Sequence, residues 1–461
     1  MENPRGLGPA GDALRALLGD RFDTGTAVRE HHGRDESSLA AAPPDAVAFP
    51  ETTEEVAAAL KICNEQRVPV IPFGAGTSLE GHVLAPSGGI SLDLTGMNEI
   101  VAVRVDDMDV TVQAGVTRST LNDRLARDGL FFPVDPGADA TLGGMAATGA
   151  SGTTTVRYGA MRENVLSLEV VLADGRVIET ARRSRKSSAG YDLTRLMVGS
   201  EGTLGVITGV TLRAYGIPEA ISGAICRFPD VANAIRAATS VLQLGVPVAR
   251  IELMDDLAIR ASNSYSGLDY PVAPYLMFEF HGSHEGVAEQ TRNAAEIVAE
   301  HGAVDYRSAI DPRERAQLWR ARHDSFYASL ALRPGTRALT TDVCVPISQL
   351  AACIEATRQD ITELSLTATM VGHVGDGNFH VVALIDPDAQ DELDAAEQMN
   401  HRLVERALAM DGTCTGEHGI GLRKIPFLQR ELPGGIEVMR AIKRTLDPNN
   451  ILNPGKVLEL G

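Results

Sequence analysis

Cysteine is scarce and scattered in this chain. Cys63, Cys226, Cys344, Cys353 and Cys414 are odd in number and never fall as C-x-x-C. That excludes a disulfide framework and a structural zinc knuckle and points to reduced thiols in a reducing compartment. Positive charge is also in deficit: 42 Lys and Arg stand against 61 Asp and Glu, a net charge of −19. Nucleic acid and anionic lipid need a basic face, so neither is expected as the main partner. RRSR at 182–185 is the only compact basic run and reads as a solvated loop. No run of about 18 apolar residues occurs, so no membrane span is expected. The N-terminal MENPRGLGPAGDALRALLGD has no apolar h-region, which argues against a secretory leader. Together these absences predict a cytoplasmic protein, with peripheral contact at the inner face of a membrane left open.

What is present is an ordinary globular composition, 44% hydrophobic and 22% charged, spread over 461 residues. Domains usually run about 100–200 residues, so two or three are expected. Thr52-x-x-Glu55 reads as a helix start, with Val56, Leu60 and Cys63 on one face. VPVIP, ISLDL, IVAVRV and VTVQAG read as strands, and Asp174-Gly175 between two alternating runs predicts a hairpin. Beyond GIPEAISG near 216, helical patterns at 229–243, 284–301, 347–359 and 388–410 alternate with short strands at 275–281 and 379–385. The first half is strand-rich and the second is α+β in order.

Three stretches are rich in glycine and small residues: PFGAGTS at 72–78, ADATLGGMAATGASGTTTVRYGA at 138–160 and VGSEGTLGVIT at 198–208. Small residues with many backbone N–H groups suit a surface that a large ligand approaches closely. The first loop follows a strand but lacks the Walker lysine and a full G-x-G-x-x-G opening a helix, so a Rossmann unit is not expected. GHVGDGNFH at 372–380 places His373 and His380 around a glycine turn. With Gly375-Asp376 as a two-residue turn, they become diagonal neighbours on one face of a hairpin, close enough to share an ion. GTCTGEHGIG at 412–421 adds Glu417 and His418. Two histidines and a carboxylate form a ligand set for Zn²⁺, Mn²⁺ or Fe²⁺, although an exposed polar loop reads equally well. In LWRARHDSFY, one arginine beside Trp319 is suited to a substrate carboxylate, or the segment is a helix with a solvated basic side.

Seven ordered motifs carry a resemblance that runs from about residue 40 to the end: PFGAGTSLEGH, DPGADATLGGMAATGASGTTTVRYG, GSEGTLGVIT, TDVCVPIS, GHVGDGNFH, GTCTGEHGIG and LDPNNILNPGK. They resemble the FAD-linked dehydrogenases of the vanillyl-alcohol-oxidase and p-cresol-methylhydroxylase superfamily. Within it the likeness is to the cytochrome-type D-lactate dehydrogenases, with the flavoprotein component of glycolate oxidase and D-2-hydroxyglutarate dehydrogenase as cousins. The resemblance implies an α+β fold: a two-part α/β FAD-binding domain over 1–217, a cap domain with an antiparallel sheet and the metal site over 218–420, and a C-terminal segment, 421–461, returning to the FAD domain.

It further implies that Pro72, Gly74, Ala75, Gly76, Thr77 and Ser78 hold the pyrophosphate. Pro136, Gly137, Thr141, Gly143, Gly144, Gly149, Ser151, Gly152, Glu201, Gly205 and Ile207 would line the flavin, and Asn453 would close over it. Thr77 stands where some relatives carry a flavin-linking histidine, so FAD is expected to be non-covalent, with His82 the one nearby histidine. The family's metal site maps onto His373, His380 and Glu417, with Zn²⁺ first among the candidate ions and Mn²⁺ or Fe²⁺ behind it. Its base maps onto His418, its carboxylate-binding arginine onto Arg322 and a substrate-contacting asparagine onto Asn378. Thr340 replaces the lysine that holds the distal carboxylate in hydroxyglutarate enzymes, which disfavours a dicarboxylate. The implied reaction is oxidation of D-lactate or a similar short D-2-hydroxy acid. Electrons would pass to a cytochrome, a quinone or an electron-transfer flavoprotein. A glycolate enzyme, a component working only in a hetero-complex, and a homodimer stay open.

Overall fold

The computed structural model describes residues 7–460 and divides into two units. The opening residues of the stretch read as lacking a leader, and of the domain expected to start at residue 1, lie outside the described residues. The first unit comprises the described residues of Met1–Gly152, Gly159–Ile217 and Glu417–Gly461; the second is Thr153–Tyr158 and Pro218–Gly416.

Two sheets make up most of the first unit. In the smaller, Val70–Phe73 and Ala46–Ala48 both run parallel to Ile90–Asp93, and Phe22–Asp23 pairs antiparallel at the edge. Helices Gly8–Leu18 and Thr53–Gln66 pack on one face of this sheet, against Ala46, Ala48, Val70, Ile90 and Leu92, while the alternate residues Ser91 and Asp93 put polar groups on the other face. Thr52 caps the second of these helices, accepting from Glu55 N at 3.2 Å. Glu55 accepts not from the Thr52 amide, as a full capping box would have it, but from Glu51 N at 2.8 Å, and it pairs with Arg21.

The larger sheet is antiparallel in the order Ile100–Arg104, Asp109–Gln113, Val206–Arg213, Val165–Val171, Val177–Glu179. The last two strands form the hairpin expected around Asp174-Gly175, Gly175 lying at φ +85°. The C-terminal stretch belongs to this unit: Ile451 and Leu452 are buried in its core, and Leu452 makes a parallel bridge to Val70.

The second unit is built on an antiparallel sheet whose main path runs Val304–Ala309, Ala220–Arg227, Tyr275–Gly282, Val248–Met254, Ala368–Gly372, Asn378–Ile385, Arg337–Thr340. The four helices expected here occur at Val231–Gln243, His284–Glu300, Ile347–Glu363 and Gln390–Ala409. Helix Asp256–Ser266 starts at Asp255, whose side chain accepts from Ala258 N at 2.8 Å although it is buried. Burial pushes the Asp255 carboxyl up to about 7. A carboxyl raised in the folded state contributes stability that is present below its unfolded pKa of about 3.8 and lost as pH rises through about 7. Asparagine caps about as well. Asp255→Asn is therefore expected to be more stable than the parent at pH 8, by about 1–3 kcal/mol, with the gap closing below pH 5; thermal unfolding at the two pH values checks this.

Candidate active site

In the first unit the three glycine-rich stretches converge. A Cβ on Gly74 would lie 2.3 Å from Thr141 Oγ1, and one on Gly202 would lie 2.9 Å from Pro72 Cγ. Only glycine permits these backbones to approach so closely. Thr141 caps the short helix Leu142–Thr148, accepting from Gly144 N at 3.3 Å, and Gly143 N donates to Ala114 O at 2.8 Å. Gly149 ends that helix, and Glu201 N donates back to Ala147 O at 2.8 Å. Pro72, Gly74–Ser78, Thr141–Gly149 and Glu201 thus form one neighbourhood. A Cβ on Gly137 would meet nothing within 4 Å, so space rather than packing surrounds it. Gly152 packs on Asp135, Gly205 on Val170, and Ile207 is buried in strand Val206–Arg213.

Glu201 and Asn453 do more than line this neighbourhood. The buried Glu201 carboxylate accepts from Ile420 N at 2.6 Å and Gly421 N at 2.8 Å, and lies 3.0 Å from His82 Nε2. Burial alone would raise its pKa, but the His82 charge and hydrogen bond and the two backbone donors outweigh it and hold it below the ordinary value. For His82 the balance is the mirror image: burial lowers its pKa, and Glu201 more than restores it. Asn453 Nδ2 donates to Glu201 O at 2.7 Å and His82 O at 3.2 Å, and Lys456 Nζ donates to Asn453 Oδ1 at 2.6 Å. Asp35, which no spacing singles out in the sequence, ties the first loop down by accepting from Ser78 Oγ at 3.0 Å and Gly81 N at 2.9 Å.

Glu417 and His418 also belong to the first unit. Ser151 Oγ donates to Glu417 Oε2 at 2.6 Å. His418 Nδ1 lies 3.6 Å from Glu80 Oε1, and Lys424 Nζ is 3.0 Å from the same oxygen. Burial pushes Glu80 up, but the Lys424 charge and the His418 hydrogen bond bring it below the ordinary value.

The second unit holds the histidine hairpin. Val371 pairs with His380, and Asn378 N and Asp376 N both donate to His373 O, so the turn is the four residues 374–377 and not the two-residue Gly375-Asp376 turn expected, although the facing register is the same. The His373 and His380 rings are 5.5 Å apart between centroids, and both residues are buried. His373 Nδ1 lies 2.6 Å from Glu252 Oε1, and His380 Nδ1 lies 3.0 Å from Thr341 O. A carbonyl only accepts, so His380 carries its proton on Nδ1, and the neutral ring has its lone pair on Nε2.

Asn378 lies two residues from His380 on one strand and so shares its face. Its Nδ2 donates to Asp342 Oδ1 and to Val343 O, each at 2.8 Å. Both amide hydrogens are used, and Oδ1 is buried without a hydrogen-bond partner among the described residues. Thr415 Oγ1 donates to Asp342 Oδ2 at 2.6 Å, fixing that carboxylate in turn. Arg322, at the end of helix Pro312–His323, directs Nε at Glu252 Oε2 at 2.8 Å and Nη1 at Ser325 Oγ at 3.4 Å. Thr340 ends strand Arg337–Thr340 opposite Val382. Glu252 lies outside every sequence motif, and Asp342 lies within TDVCVPIS without being singled out there. The only hint of Glu252 is an acid alternating with apolar residues in VARIELM.

Residues 217–457 match the family described as FAD linked oxidases, C-terminal domain, and residues 44–181 match the one described as FAD binding domain. A probable mitochondrial D-lactate dehydrogenase of Danio rerio is 54% identical over 97% of this chain and 91% of its own. A mitochondrial D-lactate dehydrogenase [cytochrome] of Arabidopsis thaliana is 47% identical over 96% of this chain and 79% of its own. Both are named mitochondrial, which overturns the cytoplasmic location expected from composition and points to a mitochondrial one. Composition reports solubility, which a soluble compartment inside an organelle demands equally. Among solved structures, p-cresol methylhydroxylase with substrate bound superposes with a TM-score of 0.78 at 18% identity, covering 98% of this chain and 96% of that one. That likeness supports the α+β fold class expected from the sequence.

Proposed function

Because this chain belongs to the FAD-linked oxidases, we propose that it oxidises D-lactate, or a similarly short D-2-hydroxy acid, to the 2-oxo acid with a divalent ion in the site. The substrate is that of the named relatives. One observation carries the site chemistry: two buried imidazoles 5.5 Å apart, each engaged at Nδ1 by a carboxylate or carbonyl, on the face that carries the unpartnered Asn378 Oδ1. Histidines tethered at one nitrogen are the arrangement that metal ligands adopt. His373 and His380 would hold the ion through Nε2, Zn²⁺ first and Mn²⁺ or Fe²⁺ after it. Glu417 would complete the set, as the resemblance to the family implies.

When bound, such an ion lowers the pKa of the α-hydroxyl it touches. FAD, held non-covalently in the glycine neighbourhood, with Thr77 in the first loop, supplies the hydride acceptor. The chain's own residues do the rest. Asn378 Oδ1 can only accept, so before reaction it orients the α-hydroxyl hydrogen, which then turns from Asn378 to His418 for transfer. His418 takes that proton at Nε2, its Nδ1 side steadied by Glu80. Arg322 binds the carboxylate through its Nη1–Nη2 edge, since Nε is committed to Glu252. Thr340 offers no cation for a second carboxylate. The electrons then leave to a cytochrome, quinone or electron-transfer flavoprotein.

The test is anaerobic addition of D-lactate to the purified protein while the flavin absorption is followed. Bleaching is expected within seconds, to be abolished by chelation and restored by added Zn²⁺ or Mn²⁺. Bleaching with glycolate but not D-lactate would move the substrate; bleaching by a protein shown to be free of metal would remove the ion from the reaction.

A further inference from the structure

Glu252 sits in the middle of strand Val248–Met254, with none of its surface exposed. A carboxylate there loses its hydration, a cost that only strong partners offset. Each of its oxygens has a different one: Oε1 is 2.6 Å from His373 Nδ1 and Oε2 is 2.8 Å from Arg322 Nε. His373 reaches this strand from the hairpin that begins at Ala368–Gly372, and Arg322 from a helix end, so three separate elements meet on one side chain.

We propose that Glu252 is a positioning residue that couples the metal ligand His373 to the substrate-binding arginine, so that ion affinity and carboxylate binding depend on each other through one buried carboxylate. The inference rests on the reading given under Proposed function and deepens it. Accepting the Nδ1 proton of His373 leaves the lone pair of that ring on Nε2. Accepting from Arg322 Nε occupies the side of the guanidinium and turns its outer edge to the substrate. A ligand carboxylate that draws on Arg322 shifts Glu252, and with it the ring that holds the ion. The two sites are 70 and 121 residues from Glu252 in sequence, so neither spacing nor motif reveals the link.

Glu252→Gln keeps the shape but supplies one acceptor and one donor where two acceptors are needed. It satisfies His373 or Arg322, and presents an N–H to the other. Ion affinity, measured by competition with a chromophoric chelator on the FAD-loaded protein, is expected to fall about 10–100-fold. With ion saturating, the KM for D-lactate should rise several-fold more than kcat falls. Glu279→Gln, a buried carboxylate on the next strand paired with His281 at 2.8 Å, should leave ion affinity unchanged, which separates coupling from a general cost to the sheet. Arg322→Lys is the second variant: it contributes no ligand, yet it should weaken ion binding because it loosens Glu252. If the parent protein binds no ion, the metal reading fails and this inference falls with it. If the parent binds an ion and both Glu252→Gln and Arg322→Lys bind it equally well, this inference alone is overturned.

Discussion

His380→Ala is expected to keep FAD at one per chain, to lose the bound ion and to turn over D-lactate about 1000-fold more slowly. That factor corresponds to about 4 kcal/mol of transition-state stabilisation. A Lewis acid on the α-hydroxyl is worth several kcal/mol, and with one imidazole gone the remaining ligands hold an ion poorly. FAD should be unaffected because the glycine stretches that converge around Gly74, Thr141 and Glu201 lie in the first unit, whereas His380 lies in the second. The fold should survive too. His380 is on a central strand flanked by Ala368–Gly372 and Arg337–Thr340, and its main-chain pairing with Val371 does not involve the ring. The lost side-chain bond, Nδ1 to Thr341 O, costs about 1 kcal/mol. Elemental analysis, flavin absorbance and steady-state rates on one preparation decide the matter. Full turnover without an ion would sink the metal reading, and loss of FAD together with the ion would mean that the substitution had disturbed more than the ligand.

Much of the fold was legible because local rules agree with the tertiary outcome. The helix begun at Thr52, the hairpin at Asp174-Gly175 and the glycine-rich turn within 372–380 all depend on residues within a few positions of one another. The histidine pair was legible because a four-residue turn over 374–377 keeps the register that a two-residue turn would set, so the same residues face each other. The supporting carboxylates were not. Glu80 and Asp342 fall inside quoted motifs, but their partners Lys424 and Asn378 lie on distant segments, so a motif does not reveal what they hold; Glu252, a lone acid in an apolar run, carries no period at all. Arg322 shows the limit of reading a side chain from its type. Its type suits a carboxylate, but which edge would meet the ligand is set by Glu252, which takes Nε and leaves the Nη1–Nη2 edge. The excursion of Thr153–Tyr158 into the second unit was also hidden, because its small residues look like the glycine-rich stretch around them. What joins it there is tertiary: Tyr158 Oη lies 2.7 Å from His281 Nδ1.

Glu201→Ala is expected to loosen residues 417–424 and to cost about 3–5 kcal/mol, the usual penalty for stripping one partner from a buried charged pair. The carboxylate is 5% exposed and serves three donors at once: the Ile420 and Gly421 amides and His82 Nε2. Alanine offers none of them an acceptor. Each stranded buried donor costs about 1–3 kcal/mol, less whatever local rearrangement recovers. His82 is affected as well. With Glu201 present its pKa is raised; without it the largest contribution opposing burial is gone and only the charges of Glu80 and Asp35 still raise it, so the proton on His82 is held less firmly. Asn453 anchors on the Glu201 carbonyl, which alanine retains, so the tail from Leu452 onward should stay docked while 417–424 opens. Those residues include His418 and Lys424, and so the prediction carries a functional consequence. Thermal unfolding should fall by roughly 6–20 °C, limited proteolysis should cut near 417–424, and D-lactate turnover should drop. Pairing the change with His82→Ala separates the two causes. If the cost is chiefly an abandoned histidine, the double variant regains part of the stability; if it is the two amides, it does not. A midpoint within about 2 °C of the parent would show that Glu201 is not the clasp that holds this stretch.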